Sequence, residues 1–114
     1  MSESSKPPTA SEFMQDLNAK LQALRARTEG INASFVFDIE GEDPGIWTVE
    51  ANDGSGRVIR GAQETADCTV YMNDDVLIRL GTQQLDGGEA YLSGLLTVSG
   101  DVSKAMLLAQ IFGG

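Results

Sequence analysis

The stretch DCTVYMNDDVL, residues 67–77, decides the fold because its hydrophobic period changes halfway along. In the first half apolar and polar residues alternate, so that Cys68, Val70 and Met72 share one face, which is typical of a strand with one buried side. In the second half the apolar residues follow helical spacing instead. The stretch therefore predicts a strand that passes directly into a helix.

The only cysteine and three aspartates fall within this stretch, which raises the question of a metal site or a reactive thiol. The predicted strand turns Cys68 into the core, whereas the aspartates lie at the strand-to-helix junction, where Asn73 or Asp74 can cap the helix. Metal ligands must converge on one point, and a reactive thiol needs a base or a positive field beside it. We expect Cys68 to be a packed, unreactive thiol.

Upstream of this stretch the pattern predicts one helix followed by three strands. Ser11 is positioned to cap the helix, which Gly30 ends, and its apolar face consists of Phe13, Leu17, Leu21 and Leu24. The strands are predicted at ASFVFDIEG (33–41), IWTVEA (46–51) and RVIRG (57–61). In the first two, alternation places one set of residues on the buried face and leaves Val36 and Thr48 on the other; the set is Ala33, Phe35, Phe37 and Ile39, then Trp47, Val49 and Ala51. Turns rich in Gly, Asp and Pro separate the strands, which indicates an antiparallel meander.

Downstream, Gly81 ends the second helix, Asp86 caps a short third helix, and LLTVSG (95–100) forms a fifth strand. Asp101 then caps a last helix, VSKAMLLAQIF (102–112), which is apolar on nearly all sides. A helix of this kind has a second partner besides the sheet, namely a ligand, another subunit or a membrane surface. The residues predict an α+β fold in which helices cover one face of a single sheet.

Length and charge restrict the classes of protein. The chain has 114 residues, enough for one domain with one core, and we expect a disordered tail over residues 1–8 and the domain over residues 9–114. After residue 30, thirteen acids face four bases, which argues against nucleic acid as a partner and against strong docking on anionic membranes. One cysteine and the lack of an apolar run of ~20 residues favour a cytoplasmic location.

The chain carries few of the residues and motifs that catalytic sites use. The chain has no histidine, which removes the commonest general base and zinc ligand. Its glycines match neither the P-loop nor the dinucleotide fingerprint, and its acidic turns lack the spacing of a calcium loop. We predict no enzyme, no cofactor and no metal site. Pattern alone favours a close-packed core, although the natural ligand of a large apolar interior is an apolar molecule.

Several linked stretches resemble the sterol carrier protein type-2 domain, the non-specific lipid-transfer family. They are INASFVFDIEG leading into IWTVEANDGSG, then ADCTVYMNDDVLIRLGTQQLDGGEAYLSGLLTVSGD, and the closing SKAMLL, in the order of that family over residues 11–112. The resemblance implies a five-stranded, mostly antiparallel sheet with a crossover that brings the fourth strand beside the first. It also implies an apolar tunnel between sheet and helices, which takes sterols, fatty acids, acyl-CoA or phospholipids without catalysis.

By position in the family pattern, the resemblance implies that the tunnel is lined by apolar residues from most elements. They are Phe35, Phe37, Trp47, Val70, Met72, Leu77, Leu80, Leu85, Tyr91, Leu92, Leu96, Met106, Leu107, Ile111 and Phe112. We hypothesise that the last helix forms one wall of the tunnel and shifts to admit lipid.

This chain departs from many members of the family in two respects. It reads SGLLTVSGD (93–101) where relatives often carry lysines, which argues against membrane docking through that region, and it shows no peroxisomal address of the Ser-Lys-Leu type. We predict a lipid-binding and transfer module with an apolar lipid as its partner. The alternatives are an interaction domain that dimerises with a filled tunnel and an accessory domain of lipid-metabolism enzymes, and transient membrane contact stays open.

Overall fold

In the computed structural model, which describes residues 8–112, the chain forms five strands and five α-helices. The strands are β1 (Asn32–Glu40), β2 (Gly45–Asn52), β3 (Ser55–Arg60), β4 (Cys68–Asn73) and β5 (Leu96–Gly100). The helices are α1 (Ala10–Ala23), α2 (Asp74–Gly81), α3 (Gly87–Leu92), α4 (Val102–Ala105) and α5 (Leu108–Ile111). The predicted tail, residues 1–8, lies outside the described residues except for Pro8, which is exposed.

The strands form one sheet, whose order is β3-β2-β1-β4-β5. β1 lies in the middle, with β2 antiparallel on one side and β4 parallel on the other. β3 and β5 are the edge strands and pair antiparallel with β2 and β4. The predicted α+β fold is confirmed, with a five-stranded, mostly antiparallel sheet and a crossover that brings the fourth strand beside the first.

The helices pack on the sheet face that carries the apolar side chains. The inward side chains of the central strands are all buried: Ala33, Phe35, Phe37, Ile39, Trp47, Val49, Ala51, Cys68, Val70 and Met72. The register places Phe35 between Val49 and Cys68, so these side chains form continuous rows across the strands. Leu17 and Leu21 of α1 belong to the same buried cluster. The alternation in the sequence predicted each of these inward sets.

The segment 61–67 crosses the other face of the sheet, because it connects the edge strand β3 with β4 on the far side of β1. Thr48 faces this side, is fully buried and donates a hydrogen bond from Oγ1 to the Gly61 carbonyl oxygen at 2.7 Å. Its cross-strand neighbour Val36 is buried as well. The alternation places both side chains toward solvent, and the crossover covers them instead.

The start of α1 differs from the prediction by two residues. Thr9, not Ser11, is the N-cap. Its Oγ1 accepts a hydrogen bond from the Glu12 backbone N–H at 3.2 Å, and the Glu12 carboxylate accepts one from the Thr9 N–H at 2.9 Å. This reciprocal pair satisfies two N–H groups that the first turn of a helix otherwise leaves free.

The end of α1 was also predicted wrongly, because α1 ends at Ala23 and not at Gly30. Leu24 leaves the helical conformation and is half-exposed, and one 3-10 turn, Arg25–Arg27, follows. The turn brings the Thr28 carbonyl oxygen to the β2–β3 hairpin, where it accepts a hydrogen bond from the Gly54 N–H at 3.2 Å. A helix that continued to Gly30 would not make this contact.

The last helix is not continuous, which corrects the prediction of one helix over 102–112. α4 ends at Ala105, and α5 begins at Leu108 without a side-chain cap. The break lets α4 stay beside β4 and β5, while Ile111 and Phe112 reach the core. We call residues 102–112 the C-terminal segment.

The predicted caps of the other helices are confirmed. Asn73, one of the two candidates, caps α2 and accepts a hydrogen bond from the Asp75 N–H at 2.9 Å. Asp86 caps α3 in the same way, and Asp101 caps α4. α2 ends at Gly81 as predicted, and an added Cβ there would overlap the ring of Phe13.

The β1–β2 turn joins the N-termini of α1 and α2. The Asp43 carboxylate accepts a hydrogen bond from the Ser11 N–H at 2.8 Å, and the Asp43 N–H donates to the Asp74 carboxylate at 2.9 Å. The Ser11 backbone N–H beside it holds the pKa of Asp43 below its ordinary value. Asp43 of the turn therefore connects to the first turns of both helices, through its carboxylate to α1 and through its N–H to Asp74 of α2.

Replacing Asp43 with asparagine is expected to remove a pH-dependent part of the stability. Because the pKa of Asp43 is lower in the folded chain, its contribution is present above the ordinary pKa of 3.8 and is lost as the pH falls through the folded-state value. The Tm of the unmodified chain should exceed that of Asp43→Asn at about pH 7, and the two should converge as the pH falls through the lowered pKa of Asp43. Calorimetry measures this, with the exposed neighbour Glu42→Gln as the control. A difference in Tm between the two chains that does not change with pH would contradict the lowered pKa of Asp43.

Candidate functional site

The most extensive chemical feature of the described chain is the apolar interior between sheet and helices. β1, β2, β4 and β5 supply its floor, and α1, α2 and the C-terminal segment supply its roof. Among the side chains that sequence reasoning did not assign to a site, Met14 and Ile31 are as deeply buried as the strand residues. The signal for Met14 was available, since Ala10, Met14, Leu17 and Leu21 recur at helical spacing and are the buried face of α1.

Most residues predicted to line a tunnel lie in this interior. The buried ones are Phe35, Phe37, Trp47, Val70, Met72, Leu77, Leu80, Leu96, Ile111 and Phe112. Leu85 and Leu107 are half-buried and pack against this cluster from its margin. Tyr91, Leu92 and Met106 lie outside it, with exposed fractions of 45%, 85% and 72%. The structure brings the first group together and leaves these last three apart, and their part in a tunnel lining stays a prediction.

The end of the C-terminal segment packs in the interior. The Phe112 ring packs edge-on against Phe13 and at a tilt against Phe37, and both pairs of ring centroids are 5.9 Å apart. Ile111 beside it is fully buried. The Gln83 side-chain amide donates a hydrogen bond to the Phe112 carbonyl oxygen at 3.4 Å. Side chains of this segment therefore occupy part of the interior.

Few polar contacts hold the C-terminal segment. The Gln110 amide nitrogen donates to the carbonyl oxygens of Ala26 and Glu29 at 3.0 and 2.8 Å, and Lys104 Nζ donates to the Asn32 carbonyl oxygen at 3.3 Å. α4 and α5 have four residues each, far below the ~12–15 residues at which a helix is marginally stable alone. The segment thus depends on its docking for its structure.

The two best-defined hollows of residues 8–112 are open depressions, and neither is a tunnel between sheet and helices. One, of about 340 Å³, is polar and lies at one end of the sheet, lined by Asn32, Ala33, Ser34, Glu50, Asn52 and Asp67. The other, of about 440 Å³, lies beside α3 and is lined by Leu85, Glu89, Leu92 and Ser93. Neither of these two hollows lies between sheet and helices, so the tunnel that the resemblance implies stays a prediction.

The polar chemistry around the interior is sparse. Burial, with smaller effects of Asp67 and Asp101, raises the pKa of the Cys68 thiol to about 11, so the thiol stays protonated and weakly nucleophilic at neutral pH. The Arg60 guanidinium lies 4.6 Å from the centre of the Trp47 ring and covers the rim of the interior at this point. Within residues 8–112, His, Cys, Asp and Glu form no cluster of three that could hold a metal ion. The chemical property that this interior provides is therefore the burial of apolar surface.

Comparison with known proteins gives concordant results. The sequence profile of the SCP-2 sterol transfer family matches residues 14–113. Sterol carrier protein 2 of Rattus norvegicus is 33% identical over 100 residues, which are 88% of this chain and 18% of that protein. The chain thus spans less than a fifth of that relative.

Two solved structures show the same fold. Palmitated SCP2L2 from Aedes aegypti superposes with a TM-score of 0.76 at 19% identity and covers 94% of this chain and 96% of its own. The sec-alkylsulfatase Pisa1 from Pseudomonas sp. superposes with a TM-score of 0.74 at 21% identity over 93% of this chain, which corresponds to 16% of the sulfatase. None of the helices formed by residues 8–112 combines the length and the apolar character that a membrane crossing requires.

Proposed function

We propose that this chain, which belongs to the SCP-2 sterol transfer family, is a module that binds and transfers a sterol, fatty acid, acyl-CoA or phospholipid. The observation that carries the proposal is the docking of Ile111 and Phe112 in the apolar interior from two four-residue helices. In the proposal an acyl chain takes the place of these side chains and contacts Phe13 and Phe37, which now contact Phe112.

The proposed tunnel forms when the C-terminal segment moves away from the sheet. Its walls are then the buried side chains of β1, β2, β4 and α2, and Leu85 and Leu107 line its margin. Apolar contact without a fixed polar anchor accommodates lipids of different shapes, which supports the binding of several lipid classes. The net charge of −9 disfavours association between copies of the chain, whether or not lipid is bound.

The energy available from such a site is sufficient for useful affinity. Each buried methylene of an acyl chain contributes about 0.8 kcal/mol before the losses of ordering and displacement. A chain of roughly sixteen carbons can therefore reach about −8 kcal/mol, which corresponds to a micromolar Kd. Part of the gross gain is used to displace the C-terminal segment, so affinity and the docking of this segment are linked.

The experiment uses Trp47, the only tryptophan of the chain and a buried residue of the proposed site, as a built-in reporter. Titration with cis-parinaric acid should quench Trp47 emission by energy transfer, saturate at about one ligand per chain and give a Kd of micromolar order. Palmitate or cholesterol should reverse the quenching. Native mass spectrometry of the freshly purified chain should show lipid adducts. A dimer without adducts, together with the lack of saturable quenching, would sink the proposal in favour of an interaction domain.

One observation favours a second candidate function, that of an accessory domain. The matched segment is 18% of the rat relative and 16% of the alkylsulfatase, so the fold occurs as a part of larger proteins. In this role the domain presents a lipid to an enzyme that processes it. A stable stoichiometric complex with an enzyme of acyl-CoA or sterol metabolism, together with faster turnover of lipid delivered by this chain than of free lipid, would support it.

A further inference from the structure

One side-chain amide of the C-terminal segment lies between two backbone carbonyl oxygens. Nε2 of Gln110 donates to the carbonyl oxygen of Ala26 at 3.0 Å and to that of Glu29 at 2.8 Å. Both contacts are at the protein surface. The two oxygens thus converge on a single donor group. We call residues 26–29 the acceptor turn.

The groups at the end of the C-terminal segment follow the order of a single-chain lipid, with a polar head before an apolar body. Gln110 is exposed and immediately precedes Ile111 and Phe112, which are buried. In the proposed function an acyl chain replaces these two buried side chains. The carbonyl oxygens of Ala26 and Glu29 then lose their donor as the segment leaves, and the head group of the lipid is the nearest replacement.

The β2–β3 hairpin holds the acceptor turn in place. The Gly54 N–H donates to the Thr28 carbonyl oxygen at 3.2 Å, and the Gly30 N–H donates to the Asp53 carboxylate at 2.8 Å. The Asp53 N–H also donates to the Ile31 carbonyl oxygen at 2.7 Å. None of these bonds involves the C-terminal segment. We therefore expect the two acceptor oxygens to stay oriented when the segment moves.

The acceptor turn also contains a buried polar side chain without a partner. Thr28 is fully buried, and its Oγ1 forms no hydrogen bond with any residue that the structure describes. Buried hydroxyl groups are normally paired with protein or water, because an unpaired one destabilises the fold. The turn therefore has hydrogen-bonding capacity that residues 8–112 do not use.

Two convergent carbonyl oxygens select for a head group that donates hydrogen bonds. A carbonyl oxygen only accepts, so an amide N–H or a hydroxyl can replace the Gln110 amide there, whereas an ionised carboxylate, a phosphate diester or a carboxylic ester cannot. Arg25 and Arg27 are the nearby groups that would favour an anion instead. Arg25 lies against the hairpin, where a Cβ added to Gly54 would be 2.7 Å from its Nη2.

We propose, as a step that rests on the proposed function, that the acceptor turn binds the head group of the transferred lipid. It favours an uncharged head with an N–H or O–H donor, such as a primary amide or an alcohol. In the empty chain the Gln110 amide occupies this position, and it leaves with the C-terminal segment. Because water competes at the surface, the contact ranks the lipids that apolar contact binds and does not exclude the others.

The first experiment compares three ligands of equal chain length, dodecanamide, dodecanoate and methyl dodecanoate. The amide donates hydrogen bonds, the ester is uncharged and only accepts, and the carboxylate is anionic at about pH 8. Each ligand competes with cis-parinaric acid for the unmodified full chain. Dodecanamide should bind about threefold or more tightly than either of the others. Without use of its donors it would bind no better than the ester, which is the more apolar of the two.

The second experiment removes the donor that occupies the site in the empty chain. Gln110→Glu keeps the length and shape of the side chain but replaces the amide with a carboxylate, which only accepts. In the lipid-free chain it should speed amide hydrogen exchange of the C-terminal segment about threefold or more, and it should tighten dodecanamide binding by a similar factor. The control is Gln15→Glu, the same change at an exposed position of α1, which should alter both quantities by less than about twofold.

The outcomes separate this head-group site from the proposed function. Saturable binding in which the ester equals or exceeds the amide leaves the proposed function standing and overturns the head-group site. Tighter binding of dodecanoate than of dodecanamide also overturns it and assigns the head group to Arg25 and Arg27. Exchange that is no faster in Gln110→Glu than in Gln15→Glu contradicts the role of the Gln110 amide as occupant. If neither parinaric acid nor any of the three ligands binds saturably, the proposed function fails and the head-group site fails with it.

Discussion

Replacing Phe112 with alanine is expected to lower the free energy of unfolding by about 3 kcal/mol and to tighten fatty-acid binding by about tenfold or more. Phe112 is buried and its ring contacts Phe13 and Phe37, so its truncation leaves a hole in the core. In the proposed mechanism the same space receives an acyl chain, which in the variant no longer has to displace a ring. Urea denaturation and parinaric acid titration of one preparation measure both effects.

The control for Phe112→Ala is Met106→Ala. Met106 lies in the same segment, between α4 and α5, but it is 72% exposed. Its truncation should change the free energy of unfolding by no more than about 0.5 kcal/mol and should not tighten fatty-acid binding. Weaker binding by Phe112→Ala would contradict displacement and would place the Phe112 ring against the bound lipid, as a fixed wall of the site.

Replacing Gly100 with alanine is expected to lower the free energy of unfolding by about 3 kcal/mol, since two costs add there. Gly100 has a φ of +102°, which side chains rarely adopt. A Cβ at this position would also lie 2.8 Å from the Asp67 carbonyl oxygen and 3.0 Å from Cys68 Cα. Both neighbours are backbone atoms of the strand with which β5 pairs or of the residue before it, so they cannot move aside as a flexible side chain would.

Gly94→Ala separates the two costs of the Gly100 substitution. Gly94 also has a positive φ, +81°, but an added Cβ there meets nothing within 4 Å. This variant should lose only about 1 kcal/mol, the cost of the backbone conformation alone. Equal losses in the two variants, measured by urea denaturation, would show that the approach to Asp67 contributes nothing.

The strands and most helix caps could be predicted because their signals are local. Alternation of apolar and polar residues determines which side chains of a strand face the core, and this assigned Phe35, Phe37 and Val70 correctly. A cap needs only a side-chain acceptor in front of a helix, which Asp86 and Asp101 provide. The pairing of β4 with β1 is not local, and the resemblance to a known family supplied it.

The errors occurred where distant parts of the chain decide the structure. The end of α1 depends on the hairpin that binds the Thr28 carbonyl, and the break in the C-terminal segment depends on the site that receives Phe112. Neither contact has a signal in the residues around it. The burial of Thr48 likewise follows from the crossover.

The burial of most candidate residues could be predicted, whereas their part in a ligand site and the tunnel itself stay predictions. The apolar strand positions gave the floor of the interior, and the resemblance added Ile111 and Phe112. Periodicity cannot tell whether an apolar residue lines a hollow or fills it, since both positions are buried. That difference depends on how the C-terminal segment packs. In the structure Met106 of this segment is exposed, whereas Phe112 is buried.

The parallel pairing of β1 with β4 has a consequence for the nascent chain. While residues 68–73 are still within the ribosome, β1 has β2 on one side and a row of free N–H and C=O groups on the other. Such an unpaired edge is a template for wrong partners, including another copy emerging nearby. We therefore expect the interval between the synthesis of β1 and that of β4 to favour aggregation, and a chaperone that covers β1 to reduce it.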